Sequence, residues 1–374
     1  MEDKKVKVGI LSMQRIANYG SFLQAYGLKS ILEELGCHVE FVDYHVEAPL
    51  IETKEKTGLS RKISKALEVF KYKAPLKESF KFIKYKKNYS KNYYPYLNIS
   101  HEYNYNPQLD MLVIGSDEVF NCVQDNTNVG YSKELFGYKN NAKRLISYAG
   151  SFGNTTLEKI DTYHVREELK DMFSKFDDIS VRDSNSVKII EGLLGEVPNK
   201  HLDPVLAYDY IGKCTDIPKS MCDDKYMILY GYSGRFSDAE CEYIKKYAKQ
   251  KGLKVFCIGG IQKVCDQFID CNPFEVISYF KNADCVVTDT FHGTILSVIT
   301  QRQFCTLIRK SGYGNSEKLT DLLNCLHLMN RNIDEITALD SVISENIDYE
   351  SVNKIIRQER ENSYNYLKEN INKL

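Results

Sequence analysis

The chain has 374 residues, 43% hydrophobic and 27% charged, with 50 Lys+Arg against 51 Asp+Glu for a formal net charge of −1. That length holds one large domain or two ordinary ones, and the composition is that of a soluble globular protein, not a disordered, collagenous or coiled-coil chain. The even charge gives no whole-chain attraction to nucleic acid or to an anionic membrane. No apolar run approaches the roughly 20 residues of a membrane helix, and the opening MEDKKVKVGI lacks the apolar core of a signal peptide. Eleven cysteines are scattered without a C-x-x-C pair. Zinc spacing is therefore absent, no metal site is expected, and reduced thiols of a cytoplasmic protein are.

Along the chain, strands alternate with helices, the signature of α/β architecture. Val6–Leu11 reads as a strand, followed by a loop over Ser12–Gly20. A helix follows with Leu28, Ile31, Leu32 and Leu35 at i, i+3, i+4, i+7, and Gly36 suits its end. His38–Tyr44 alternates as a second strand. Residues 54–91 stand apart: 13 Lys/Arg against 3 Glu, with Phe70, Tyr72, Phe80, Phe82, Tyr85 and Tyr89 interleaved. Met111–Ile114 is a continuous apolar run that suits a buried parallel strand. Leu145–Ala149 and Ile179–Val181 are further short strands. Asp203–Pro218 has no strong periodicity and marks a domain junction. A second series then runs as strand Tyr226–Tyr230, helix Asp238–Lys251, strand Val255–Ile258, helix Pro273–Ala283, strand Cys285–Val287, a helix from His292 or Gly293 to Thr300, strand Phe304–Ile308 and helix Glu317–Leu326. Asp348–Leu374 reads as a long polar helix. Two successive α/β domains with a cleft between them is the simplest assembly.

Several chemistries lack their signatures. No G-x-x-x-x-G-K-[ST] loop, G-x-G-x-x-G after a strand, G-x-S-x-G elbow or D-x-D pair occurs. The remaining candidates are polar residues at predicted strand ends, where open α/β sheets bind ligands. The richest cluster is Thr288-Asp289-Thr290-Phe291-His292-Gly293-Thr294, between a strand and a helix. A helix N-terminus there binds phosphate or carboxylate, and a His serves as donor, acid or base. Arg182 follows Ile179–Val181 and can grip a carboxylate with two parallel bonds, although Asp183 is a ready structural partner. Asp117 ends the most apolar strand and could equally cap a helix. Asn18 to Ser21 enter the first helix, where capping accounts for most of the pattern. Arg309 follows another strand and needs no function as a solvated charge.

Taken together these segments resemble the polysaccharide pyruvyl transferase family. The resemblance rests on Asn18-Tyr19-Gly20-Ser21, on Gly115-Ser116-Asp117-Glu118-Val119-Phe120-Asn121, and on Ser180-Val181-Arg182-Asp183. It also rests on Asp203-Pro204-Val205-Leu206, on Phe291-His292-Gly293-Thr294, and on Gly314 to Leu323, in that order. It implies two Rossmann-like domains facing a cleft, similar to the GT-B glycosyltransferases. The domains expected are residues 1–205 with a basic helical insertion about 50–105, residues 206–345, and a terminal helix 346–374 packing back on the first.

The resemblance further implies transfer of the enolpyruvyl unit of phosphoenolpyruvate onto two hydroxyls of a sugar, with no cofactor beyond that donor. His292 and Asp117 would be catalytic. Arg182, Arg309, Lys318, Asn18, Gly20, Thr290 and Gly293 would bind the donor. Two departures stand out: Thr290 replaces an Arg of some relatives, and Lys318 replaces another. The acceptor would belong to a cell-surface polysaccharide, carried on a polyprenyl diphosphate, with residues 54–91 touching the inner membrane face. A nucleotide-sugar glycosyltransferase and a non-catalytic sugar-binding protein are the alternatives.

Overall fold

The computed structural model describes residues 5–51, 71–309 and 316–374. The first unit contains β1 (Lys7–Leu11), α1 (Tyr19–Glu34), β2 (His38–Phe41), α2 (Leu76–Tyr93), β3 (Met111–Ile114) and β4 (Arg144–Ser147). It continues through α3 (Leu157–Thr162), α4 (Arg166–Phe173), β5 (Ser180–Val181), α5 (Ser184–Leu194) and β6 (Asn199–Lys200). Two short helices, α6 (Pro204–Ala207) and α7 (Tyr210–Lys213), lead to the second unit. That unit holds β7 (Tyr226–Tyr230), α8 (Asp238–Lys251), β8 (Lys254–Ile258), β9 (Gln267–Phe268), α9 (Pro273–Asn282), β10 (Cys285–Thr288) and α10 (Phe291–Ile299). β11 (Phe304–Leu307), α11 (Ser316–Cys325), β12 (Asn332–Ile333) and α12 (Leu339–Ser344) come next, and α13 (Tyr349–Asn372) ends the chain.

Both sheets are parallel. The first has order β2-β1-β3-β4. Bridges Ile146↔Asp178 and Gly150↔Val181 continue it to β5, which pairs with β6. The second has order β12-β11-β10-β7-β8-β9, the 3-2-1-4-5-6 order of a dinucleotide-type unit read from the other edge. The fold is thus α/β, two Rossmann-like units facing a cleft, as expected. Helices cover both faces of such sheets, which is why the inner strands are continuous apolar runs. Met111–Ile114, Tyr226–Tyr230 and Cys285–Thr288 are buried throughout. In each sheet the strand order reverses once, between β1 and β3 and between β7 and β10. Ligands bind outside the carboxyl ends at such points.

The units share one hydrophobic core. α1 reaches across it: Phe22 and Tyr26 meet Phe274 of α9 edge-on at 6.0 and 4.9 Å, and the Tyr19 hydroxyl donates to the Cys271 carbonyl at 2.7 Å. α2 crosses too, with Phe82 and Tyr85 against Phe268 and Glu78 accepting the Phe268 N–H at 2.8 Å. Phe82, Tyr85 and Tyr89 are therefore buried in this core. The expectation that the aromatics of this segment face a membrane fails for these three; the stretch Leu59–Lys73 lies almost wholly outside the described residues. α13 lies on the first unit, where the Tyr366 hydroxyl donates to the Ser147 carbonyl at 2.9 Å and Arg144 donates to the Asn370 side chain. All eleven cysteines are free thiols. Among the described residues no helix is long and apolar enough to cross a membrane.

Candidate active site

The loops that follow β1, β3, β7 and β10 converge on a cleft of about 570 Å³ between the units. Its lining includes Asn18, Ser21, Asp117, Glu118 and Arg182 from the first unit, and Tyr232, Arg235, Thr290, Phe291, His292 and Lys318 from the second. Both strand-order reversals thus open on one cavity.

The base of the cleft is organised by Asp203, in the turn that enters α6. Its side chain is 1% exposed, accepts from Arg182 Nη1 at 2.7 Å and lies 3.6 Å from His292 Nε2. Its other oxygen accepts the Val205 N–H at 2.9 Å. Burial alone would raise this carboxyl, but His292, Arg182 and the Val205 N–H outweigh it and hold it below the ordinary Asp value. It is thus a fixed anion between two cleft side chains.

Arg182 is 3% exposed at its side chain. Its ion partner is Asp203, not the adjacent Asp183, which caps α5 by accepting the Ser186 N–H. Its guanidinium also lies 4.5 Å from the Phe291 ring centre. Nε and Nη2 have no hydrogen-bond partner, the nearest carboxylate being Asp117, 3.9 Å from Nη2. An Arg carries five N–H donors in a planar fork. Here part of that fork is held by Asp203 and the rest is unsatisfied beside a cleft.

His292 sits in the first turn of α10, whose cap is the Thr290 side chain accepting the Gly293 N–H. Its ring packs on Gly20 in the first turn of α1. A Cβ built on Gly20 would lie 2.1 Å from His292 Nδ1. His292 Nε2 touches the Gln24 side-chain amide at 2.5 Å. Asp117 has φ +77, a region that few residues besides Gly, Asn and Asp enter. Its Oδ2 accepts from the Ser21 hydroxyl at 2.9 Å. Lys318 crosses the cleft to pair with Glu118. Burial pushes Glu118 up, but Lys318, Asn121 and Arg182 bring it below the ordinary Glu value.

Of the residues expected to bind a donor, Arg182, Lys318, Asn18 and Thr290 line the cleft with the expected catalytic pair His292 and Asp117. Asn18 and Thr290 spend a side-chain oxygen on capping α1 and α10. Gly20, Gly293 and Arg309 are not among the residues that line the cleft. Gly20 makes room for the His292 ring. The Gly293 N–H is taken by Thr290, and a Cβ there would lie 2.1 Å from Thr288 Oγ1. Arg309 does not line the cleft; it is bound by Glu240 and Asp289 and lies over Phe236. Arg235, which sequence reasoning missed, reaches the cleft instead, its Nε 3.1 Å from the buried Asp289. Among the described residues no three His, Cys, Asp or Glu side chains are grouped to hold a metal ion.

The sequence model of the polysaccharide pyruvyl transferase family matches residues 18–311. The chain belongs to the polysaccharide pyruvyl transferase family. The match spans both units and most of the cleft, and membership makes the protein a transferase of polysaccharide synthesis. No curated protein matches. Solved structures are similar only distantly. A Thermobaculum terrenum O-GlcNAc transferase mutant has 11% identity and a TM-score of 0.45, covering 99% of this chain, which spans 66% of that one. A Methanocaldococcus jannaschii UDP-GlcNAc 2-epimerase has 10% identity and a TM-score of 0.47 over 94% and 98% of the two chains. Arabidopsis thaliana UGT89C1 complexed with UDP-L-rhamnose has 9% and 0.48 over 99% and 100%.

Proposed function

We propose that the protein transfers the enolpyruvyl unit of phosphoenolpyruvate to two hydroxyls of one sugar in a cell-surface polysaccharide precursor. The products are a pyruvate ketal and phosphate. The observation that carries this reading is Arg182, a buried guanidinium beside the cleft with Nε and Nη2 unsatisfied. A small carboxylate is the ligand such a fork fits bidentately. The donor's phosphate then falls to Lys318, Arg235 and the N-terminal end of α10, where helix N–H groups favour an anion.

The chemistry adds one proton and removes two. His292 delivers a proton to the methylene carbon, which becomes the methyl group, and C2 becomes oxocarbenium-like. The first sugar hydroxyl adds to C2 and gives up its proton to Asp117. The C2–O bond to phosphate breaks, the second hydroxyl adds, and the remaining proton leaves with hydrogen phosphate. Such acid–base help is worth about 10²- to 10⁴-fold. Asp203 holds His292 and Arg182 in one geometry for these steps. On this reading the protein works in the cytoplasm, where phosphoenolpyruvate is available, on a polyprenyl-diphosphate-linked sugar as acceptor.

The test is phosphate release from phosphoenolpyruvate across lipid-linked and nucleotide-linked sugar acceptors, with donor binding followed by calorimetry. Binding of phosphoenolpyruvate and acceptor-dependent phosphate release are expected. Binding of a UDP- or GDP-sugar with none of phosphoenolpyruvate would replace this reading by glycosyl transfer.

A further inference from the structure

We propose that the solvent face of α2 is a docking surface for an anionic lipid bilayer. The helix has one side in the shared core and one side in water. On the water side Lys77, Phe80, Lys84, Lys87 and Lys91 are all exposed. Their spacing of 3, 4, 3 and 4 residues keeps them in a single stripe, about 21 Å long at 1.5 Å per residue. Leu76 flanks its start. Leu76 and Phe80 are 52% and 62% exposed, large apolar side chains at one end of a row of lysines.

Among the described residues no carboxylate pairs with these lysines. The only acid in α2 is Glu78, which is buried, accepts the Phe268 N–H and pairs with Lys81 at 3.2 Å. Lys86 lies 5.3 Å from the Phe82 ring centre. Lys77, Lys84, Lys87 and Lys91 have no ion pair among the described residues. Holding α2 in place does not require this row, because the inward aromatics already do so.

Lysines interspersed with exposed Leu and Phe fit a bilayer surface better than a nucleic acid. Phosphate headgroups take the ammonium groups, and the apolar side chains enter the interfacial layer. A nucleic-acid backbone offers the second set nothing. The segment that leads into α2 lies near the cleft. Just before α2, Tyr72 packs on Gly234, next to cleft-lining Arg235, and Lys73 pairs with Asp238 at 3.1 Å. The inference is independent of the donor, so its test needs no turnover.

The experiment is co-sedimentation of the full chain with phosphatidylcholine vesicles, with and without phosphatidylglycerol, at low and at high salt. Each lysine at an anionic surface is worth about fivefold in partitioning. The combined Lys84→Gln, Lys87→Gln, Lys91→Gln variant should therefore bind about 100-fold less while melting unchanged, because those side chains have no ion pair among the described residues to lose. Leu76→Ser with Phe80→Ser should weaken binding further at high salt, where the charge contribution is screened. The proposal is overturned by absence of binding at low salt, or by a triple variant that sediments like wild type. It is also overturned if heparin or duplex RNA binds as tightly as the vesicles and the Leu76/Phe80 change leaves both untouched.

Discussion

Replacing Gly20 by Ala tests the central contact of the site without changing His292 itself. The new Cβ would lie 2.1 Å from His292 Nδ1 and 2.5 Å from Cγ, where ordinary contact begins at 3.4 Å. The ring would have to retreat by more than 1 Å, and Gln24 and Asp203 stand on its other nitrogen. A misplacement of that size is worth about 100-fold in rate when a group must be aligned for reaction. Stability should fall only modestly: crowding a packed site costs about 1–3 kcal/mol, and the preference for Ala over Gly in a helix, about 0.5–1 kcal/mol, offsets part of it. Gly20→Ala should therefore melt within a few degrees of wild type and release phosphate from phosphoenolpyruvate about 100-fold more slowly. Donor affinity, measured by calorimetry, should change far less. The loss should also vanish in the background of His292→Gln, because two changes acting through one side chain do not add. Turnover within about threefold of wild type at unchanged melting temperature would refute the contact's role. A full additional loss in the double variant would refute its route through His292.

Three further outcomes are expected. His292→Gln should keep phosphoenolpyruvate affinity, measured by calorimetry, and lose about 10²- to 10⁴-fold in turnover; a folded, fully active variant removes His292 from the mechanism. Arg182→Lys can still pair with Asp203 but cannot present a planar fork, so donor affinity should fall at least about tenfold; if only the melting temperature falls, Arg182 is a structural partner of Asp203. His201 lies between Tyr148 and Tyr366 of α13, its Nδ1 2.7 Å from the Ser180 hydroxyl, and burial pushes it down to about 4, against a smaller upward pull from Asp178. Its folded value lies below the unfolded one of about 6.5, so the unfolded chain binds the extra proton. Its contribution is full above about pH 6.5 and is lost as pH falls toward 4, by at most about 3 kcal/mol. His201→Phe should flatten that part of a melting-temperature profile, and an unchanged slope would refute it.

Strands and helices that carry several signals at once were legible at the level of single residues. Tyr226–Tyr230 is an apolar run, and Asp238–Lys251 starts at a capping box of Ser237 with Glu240 and ends at Gly252 in the left-handed region. α5 shows only weakly in the sequence, although Asp183 caps it and Gly195 ends it, because its first turn is polar and Asp183 also suits an ion partner of Arg182. β6, β9 and β12 have two residues each, too short for a period to show. For Phe82, Tyr85 and Tyr89 the face expected is wrong because the charges between them mask a stripe that is buried by Tyr19 of α1 and by Phe268 of the second unit. That partner is far away in sequence: Glu78 and Phe268 are 190 residues apart. Local pattern shows that such a helix is amphipathic but not what covers it.

The site divides the same way. His292, Arg182 and Asp117 were legible because each comes soon after an apolar strand, and parallel strands deliver the residues after their carboxyl ends to one edge. Arg235 obeys the same rule, five residues past Tyr230, but two glycines and two polar residues precede it and read as a loop. Asp203 was visible only as the acid of an Asp-Pro turn. Its other duty comes from physics rather than pattern: a buried carboxylate must be paired, and the two side chains that reach it lie on either side of the cleft. Arg182 comes from the first unit and His292 from the second, so one carboxylate joins the two halves of the site. Removing its charge therefore differs from removing either partner. Asp203→Asn leaves Arg182 and His292 in place with no shared anion, and both donor affinity and turnover should fall together, whereas His292→Gln lowers turnover alone. A measured Asp203→Asn that copies His292→Gln, with donor affinity intact, would show that Arg182 keeps its geometry without Asp203.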